Sequence, residues 1–232
     1  MKSVIHFTKN FDILMAILES KNLRLHYCKE DFCIGKRKIS RAAHPMVSFS
    51  EYSLSTIDNQ IVTYGAFGIS FSRKWIEKNR IHPVMYIDSH SLIADSLGAL
   101  LVARRKQALI QLEPNIKLSI MNIKCFVKNS KGYNSNLKVK DFDFKSENEW
   151  RFVPSKESIG GKLISVNRTN YLERPSYYNN KLIDYPLTFD FNDIIFLYVS
   201  TKKHASILSN TFSIPLRKIR LSNWKISPNF SG

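Results

Sequence analysis

The chain has no run of about 18 apolar residues, so no transmembrane helix is expected. Its first residues carry one lysine and then a strand-like pattern with polar punctuation. An apolar leader core and a small-residue cleavage site are both missing, so no signal peptide is expected either. Glycine and proline, eight of each in 232 residues, never gather into a linker, and there is no internal repeat. One domain spanning 1–232 follows, long enough for a sizeable core. Cysteines number three, Cys28, Cys33 and Cys125, without zinc-type spacing. That favours reduced thiols in a cytoplasmic protein and no metal centre. Neither GxxxxGK[ST] nor GxGxxG occurs, and HExxH and GxSxG are missing too. These absences argue against P-loop, dinucleotide-fingerprint, zinc-peptidase and nucleophile-elbow chemistries. Acidic residues are scarce: 19 against 35 Lys and Arg, a net charge of +16. After Asp193 no acid occurs, while Lys202, Lys203, Arg217, Lys218, Arg220 and Lys225 do, and residues 36–41 read KRKISR. Such an excess attracts polyanions, nucleic acid included. The Lys-, Asn- and Ile-rich bias of low-GC coding produces the same excess without any partner.

What is present reads as an α+β fold: a mixed, mostly antiparallel sheet core with flanking helices. Residues 3–7 alternate as a strand, and a helix starts after Asn10, a suitable N-cap, with Leu14, Ile17 and Leu18 on one face. Residues 24–41 read as polar and turn-rich. Strands are expected over 45–54, 66–71 and 82–88, with Ser72 capping a short helix after the second. The longest helix is expected from Ser89 to Gln111, capped by Asp88 or Ser89. Strand-like runs follow at 123–129, 137–144, 149–154 and 162–166, then a loop over 177–191. The strand at 193–200 and a helix over 201–212 close the pattern.

Four local features carry the residue types that chemistry uses: His6-Phe7-Thr8 at a strand end, Ser48-Phe49-Ser50, Thr63-Tyr64-Gly65 and the run SENEWRF at 146–152. On a strand, Glu147, Glu149 and Arg151 would share one face, with Trp150 and Phe152 turned to the core. The segments HFTKNFDILMAIL, YGAFGISFSRKW…IHPVMYI and ENEWRFVP resemble the AbiGi family of abortive phage-resistance proteins, from Ile5 to about Ser209. That resemblance implies phage defence, as the antitoxin-like half of a pair whose other half is a nucleotidyltransferase-like toxin.

The ordered His, Tyr and late Glu are also similar to the His-Tyr-Glu arrangement of ADP-ribosyltransferases, and HFT…IL to the DarT-type enzymes. This second resemblance implies an ADP-ribosyltransferase-like fold with NAD as substrate. Glu149 would stabilise the oxocarbenium-like charge on the ribose. His6 would hold the ribose hydroxyls, and Tyr64 would stack on nicotinamide. Phe7, Thr8 and Ser50 would line the cleft, Arg73 or Arg151 would meet the pyrophosphate, and Glu147 would orient the acceptor. Two readings result: an NAD-using transferase with His6, Tyr64 and Glu149 in one cleft, or a non-catalytic antitoxin or nucleic-acid-binding partner of a toxin.

Overall fold

The computed structural model describes residues 2–53, 57, 61–62, 64–105, 111–134 and 137–226. Its spine is one long strand. Arg37–Ser53 (β3) is 17 residues long and is shared by two halves of a nine-stranded sheet. The first half of β3 pairs with His26–Ile34 (β2) and with Val166–Asn167 (β7). Its second half pairs with Lys2–Thr8 (β1) on one side and Glu149–Phe152 (β6) on the other. Beyond β1 lie Phe67–Phe71 (β4), Ile194–Val199 (β8) and the edge strand Ile219–Leu221 (β9), and beyond β6 lies His82–Pro83 (β5). All these pairings are antiparallel except β8 with β9. The sheet is therefore mixed and mostly antiparallel.

Register assigns the faces. Val4, His6, Phe49, Ile69, Phe71, Trp150 and Leu197 share one, because directly opposed residues point the same way. Helix α1 (Phe11–Ser20) buries Leu14 and Leu18 in that side's core, and α2 (Arg73–Lys78) brings Trp75 to stack on Phe71 at 4.1 Å. Each such burial contributes about 1.5–3 kcal/mol. The other face carries Ile5, Tyr52 and Tyr198, packed with Trp224 into a smaller cluster, and it carries Ser48, Ser50, Ser70, Glu149 and Arg151. The caps expected at Asn10 and Ser72 are present, accepting from Ile13 N and Trp75 N.

Several expectations need correction. Residues 24–41 hold β2 and the start of β3, because buried Leu25, Tyr27, Phe32 and Ile39 are interspersed with the exposed cations Arg24, Lys29, Arg37, Lys38 and Arg41 that gave the stretch its loop-like composition. The long helix starts later, as α3 (Leu92–Arg105), because Ser91 Oγ and not Asp88 or Ser89 takes the Ala94 N–H. Residues 106–110 of the expected helix lie outside the described residues, as do Leu54 and Thr63. A separate helix α4 (Pro114–Cys125) occupies the start of the expected strand at 123–129, leaving Val127–Asn129 extended. Only Val166 of the run at 162–166 is a strand residue, and 177–191 contains the end of α6 (Pro175–Asn180), which follows α5 (Arg168–Glu173). The last helix, α7, spans Lys202–Phe212 and is capped by Thr201.

Two residues before β4, Gly65 has no room for a side chain. A Cβ there would stand 2.2 Å from the Thr8 carbonyl oxygen, φ is +127°, and the Gly65 carbonyl accepts from Trp224 Nε1 at 3.0 Å. Gly65→Ala is expected to cost at least about 2 kcal/mol in urea unfolding. Wild-type stability in that variant would contradict this packing.

Candidate functional site

The polar face of the sheet centres on Glu149. Its strand pairs Glu149 with Ser50 and Arg151 with Ser48, so all four side chains share that face. The Glu149 carboxylate is surrounded by donors: Ser48 Oγ at 3.0 Å and Arg151 Nε at 2.7 Å on Oε1, Lys128 Nζ and an Arg151 terminal nitrogen, each at 3.1 Å, on Oε2. Its backbone N–H donates to the Tyr86 hydroxyl at 2.9 Å. Arg151 is fully buried. It also donates to Glu30 Oε1 at 2.6 Å and to the Cys125 carbonyl at 2.7 Å. Lys128 also reaches Glu147 Oε2 at 2.7 Å, and Tyr64 hydrogen-bonds the same carboxylate. Two cations and three carboxylates thus form one buried network.

The titration of these groups follows from who shares whom. Burial alone would push Glu149 up, but Arg151 and then Lys128 outweigh it and hold the carboxyl at about 2. Burial likewise opposes charge on Arg151 and Lys128. The Glu149 and Glu30 carboxylates overcome it and hold both above their ordinary ranges. Glu147 goes the other way: burial raises it, and Lys128, divided between two carboxylates, only partly compensates.

The structure brings Ser50, Tyr64, Glu147, Glu149 and Arg151 together and sends other candidates elsewhere. Glu147 and Glu149 converge, though not by strand alternation. Residues 144–147 form a 3₁₀ turn, Asn148 is left-handed at φ 42°, and the strand begins at Glu149. His6 points by register to the helical face. There its ring meets Phe49 edge-on at 5.6 Å, and Nδ1 donates to the Ser48 carbonyl at 2.9 Å. Burial lowers its pKa, which keeps the imidazole neutral at pH 7. Thr8 shares that face and donates to the Asn10 carbonyl. Phe7 packs edge-on against Tyr52 and Trp224. Arg73 pairs with Glu77 and lies over Trp150 at 5.2 Å, on the helical side. The transferase arrangement required His6 and Glu149 in one open cleft, and they occupy opposite faces of β3, with Glu149 buried.

Sequence reasoning passed over Lys128, Glu30 and Tyr86 as parts of the network, and it noted Ser48 without assigning it a role. The available signal was charge at inward strand positions, Glu30 two residues from buried Phe32 and Lys128 beside buried Val127. The three cysteines are free, and burial pushes Cys28 to about 12 and Cys125 to about 11, which makes them poor nucleophiles. Among the described residues no group of His, Cys, Asp and Glu could hold a metal, and no helix is long and apolar enough to cross a membrane.

A family described as "Putative abortive phage resistance protein AbiGi, antitoxin" matches residues 21–200. The chain belongs to the AbiGi family. The match takes in Tyr64, Glu147, Glu149 and Arg151 and begins after His6, Phe7 and Thr8, so the AbiGi region contains the buried network and not the first strand. Comparison with curated proteins and with solved structures finds no match.

Because Glu149 titrates lower in the folded protein than its ordinary 4.5, its contribution to stability is complete above that pH and is lost as pH falls towards about 2. Glu149→Gln is expected to lower stability at pH 7 by about 3 kcal/mol. It should also flatten the acid limb between those two pH values. An unchanged limb in urea titrations across that range would show that the carboxylate is not held as described.

Proposed function

We propose that this AbiGi protein works by binding, as the non-catalytic antitoxin of an abortive-infection pair, and neutralises a cognate toxin. One observation carries the reading: all the strong acceptor positions of Glu149 are taken by Ser48, Lys128 and Arg151. A carboxylate that stabilises a ribosyl cation must have an oxygen directed at the substrate. Releasing this one would leave the fully buried Arg151 short of a partner, a change that typically costs about 3–5 kcal/mol. The resemblance adds that the toxin is nucleotidyltransferase-like.

A second reading, ADP-ribosyl transfer from NAD on an ADP-ribosyltransferase-like fold, is favoured by a different observation. Pairing between β1 and β3 stops at Ile5 with Ser50, while β1 stays on β4 as far as Thr8 and β3 stays on β6 as far as Val47. The sheet therefore splits beside His6, Ser48 and Ser50, the place where a nucleotide would have to enter to meet Glu149.

Co-expression with the cognate toxin and an NAD-turnover assay on the purified chain separate the two. Binding predicts restored growth and no NAD consumption by wild type. NAD consumption that disappears in Glu149→Gln, with that variant still folded by circular dichroism, would replace the antitoxin with the transferase.

A further inference from the structure

The run KRKISR forms the tip and second arm of the β2–β3 hairpin, and the register shows where its charges go. Cross-strand pairing sets Lys29 against Ala43 and Asp31 against Arg41, so these four side chains share one face. Asp31 binds Lys38 of the same hairpin at 3.5 Å. It also binds, at 2.7 Å, Arg168, the first residue of α5, which follows β7 on the other side of β3. Four cations thus gather around a single carboxylate. Glu30, the other acid of β2, belongs to the opposite face with Arg151, and residues 35–44 hold no acid. Lys36 and Arg37 add two more cations at the turn. Lys29, Lys36, Arg37 and Arg41 are exposed, and among the described residues no ion pair engages them. Arg168 Nε is buried and likewise finds no acceptor among those residues. The tip is pinned, because the Gly35 N–H donates to the Ser89 carbonyl at 2.8 Å, and α3 and α4 pack behind it against Ile34 and Phe32. The cations after Asp193 are more dispersed: Lys218 is spent on the Phe191 and Ile194 carbonyls, and Arg220 lies over Phe196.

We propose that this basic face of the hairpin binds the phosphate backbone of duplex nucleic acid, an activity that does not depend on the antitoxin reading. Uncompensated cations on one face call for a polyanion. What the face lacks narrows the class. No large apolar residue of β2 or β3 is exposed, and Tyr27, Phe32, Phe49 and Tyr52 are all buried. A protein partner or a membrane would be met with apolar anchors, and a single strand with rings that stack on its bases. Phosphates need neither. The guanidinium forks of Arg37 and Arg41 and the ammonium groups of Lys29 and Lys36 suit them directly. From Lys29 to Ile34 the strand rises about 17 Å, about half a turn of duplex, so about three or four phosphates are met. Contacts of this kind carry no sequence preference.

The test is fluorescence anisotropy of the full chain with labelled DNA and RNA duplexes of about 20 base pairs and arbitrary sequence. Wild-type affinity should fall about 100-fold between about 50 and about 200 mM NaCl. Lys29→Gln combined with Arg41→Gln alters exposed positions only, so its melting temperature should stay within about 2 °C of wild type. Its affinity should drop at least about 10-fold, and the slope of log affinity against log salt should shrink by about two. Lys202→Gln combined with Lys203→Gln removes the same charge from α7 and should keep wild-type affinity within about twofold. Equal losses in the two double variants would reduce the binding to the diffuse attraction of a +16 chain and overturn the proposal. So would binding of neither duplex by wild type at about 50 mM NaCl. Capture on phosphatidylserine vesicles, or binding of the cognate toxin, lost in the Lys29 and Arg41 variant while duplex binding is unchanged, would assign the face to lipid or to protein and overturn it too.

Discussion

A guanidinium with no exposure to water sits at the junction of this fold. Arg151 holds Glu149 on its own strand, Glu30 on β2 and the carbonyl at the C-terminal end of α4. Three elements therefore meet on one cation. Taking that charge out of water costs several kcal/mol, which is recovered through four hydrogen bonds at 2.6–3.1 Å, three of them to carboxylate oxygens. The arrangement explains why β6 can be so short. Four residues of strand suffice when buried ion pairs tie them to Glu30 of β2 and to Lys128, Ser48 Oγ of β3 reaches Glu149, and a tyrosine hydroxyl meets the first backbone N–H.

The same interaction constrains function. A run such as ENEWR offers carboxylates that resemble catalytic ones by type, and only their partners distinguish a reactive carboxylate from a structural one. Here Lys128 and Arg151 converge on Glu149 and leave Glu147, raised by burial and hydrogen-bonded by Tyr64, as the less committed of the two. His6 stands close by in space, since the Ser48 whose carbonyl it binds also serves Glu149 with its hydroxyl, yet β3 separates the two side chains. An AbiGi chain built this way has its strongest charge pairs turned inward, with Glu149 and Arg151 both buried.

Much of the frame was legible where period and punctuation agreed. Asn10 and Ser72 were readable as caps and Ile194–Val199 as a strand, and alternation alone set Trp150 and Phe152 on one face against Arg151 on the other. The hairpin's first arm and the start of its second, residues 26–41, were not legible, because their solvent face is lysine and arginine and one of the inward residues is Glu30, whose partner is about 120 residues away. The same long-range pairing hid Lys128. Helix α4 was obscured by Lys124, a buried cation that interrupts the apolar stripe next to Met121 and Cys125. In the candidate site, Glu147, Glu149 and Arg151 were grouped from the sequence and stand together in the buried network, while Glu30 was not grouped with them. Faces of the sheet depend on the register of β1 and β6 against β3, which no local pattern encodes, and so His6 was grouped with residues it does not join.

The most direct test of Arg151 as the keystone is a double-mutant cycle in urea unfolding, with Glu149→Gln, Arg151→Met and both together. Arg151→Met alone leaves Glu149 and Glu30 crowded around Lys128, so adding Glu149→Gln should relieve part of the damage. The pair is expected to lose less than the sum of the single losses by at least about 2 kcal/mol. Additivity within about 0.5 kcal/mol would contradict it, because independent sites behave that way and joined charges do not.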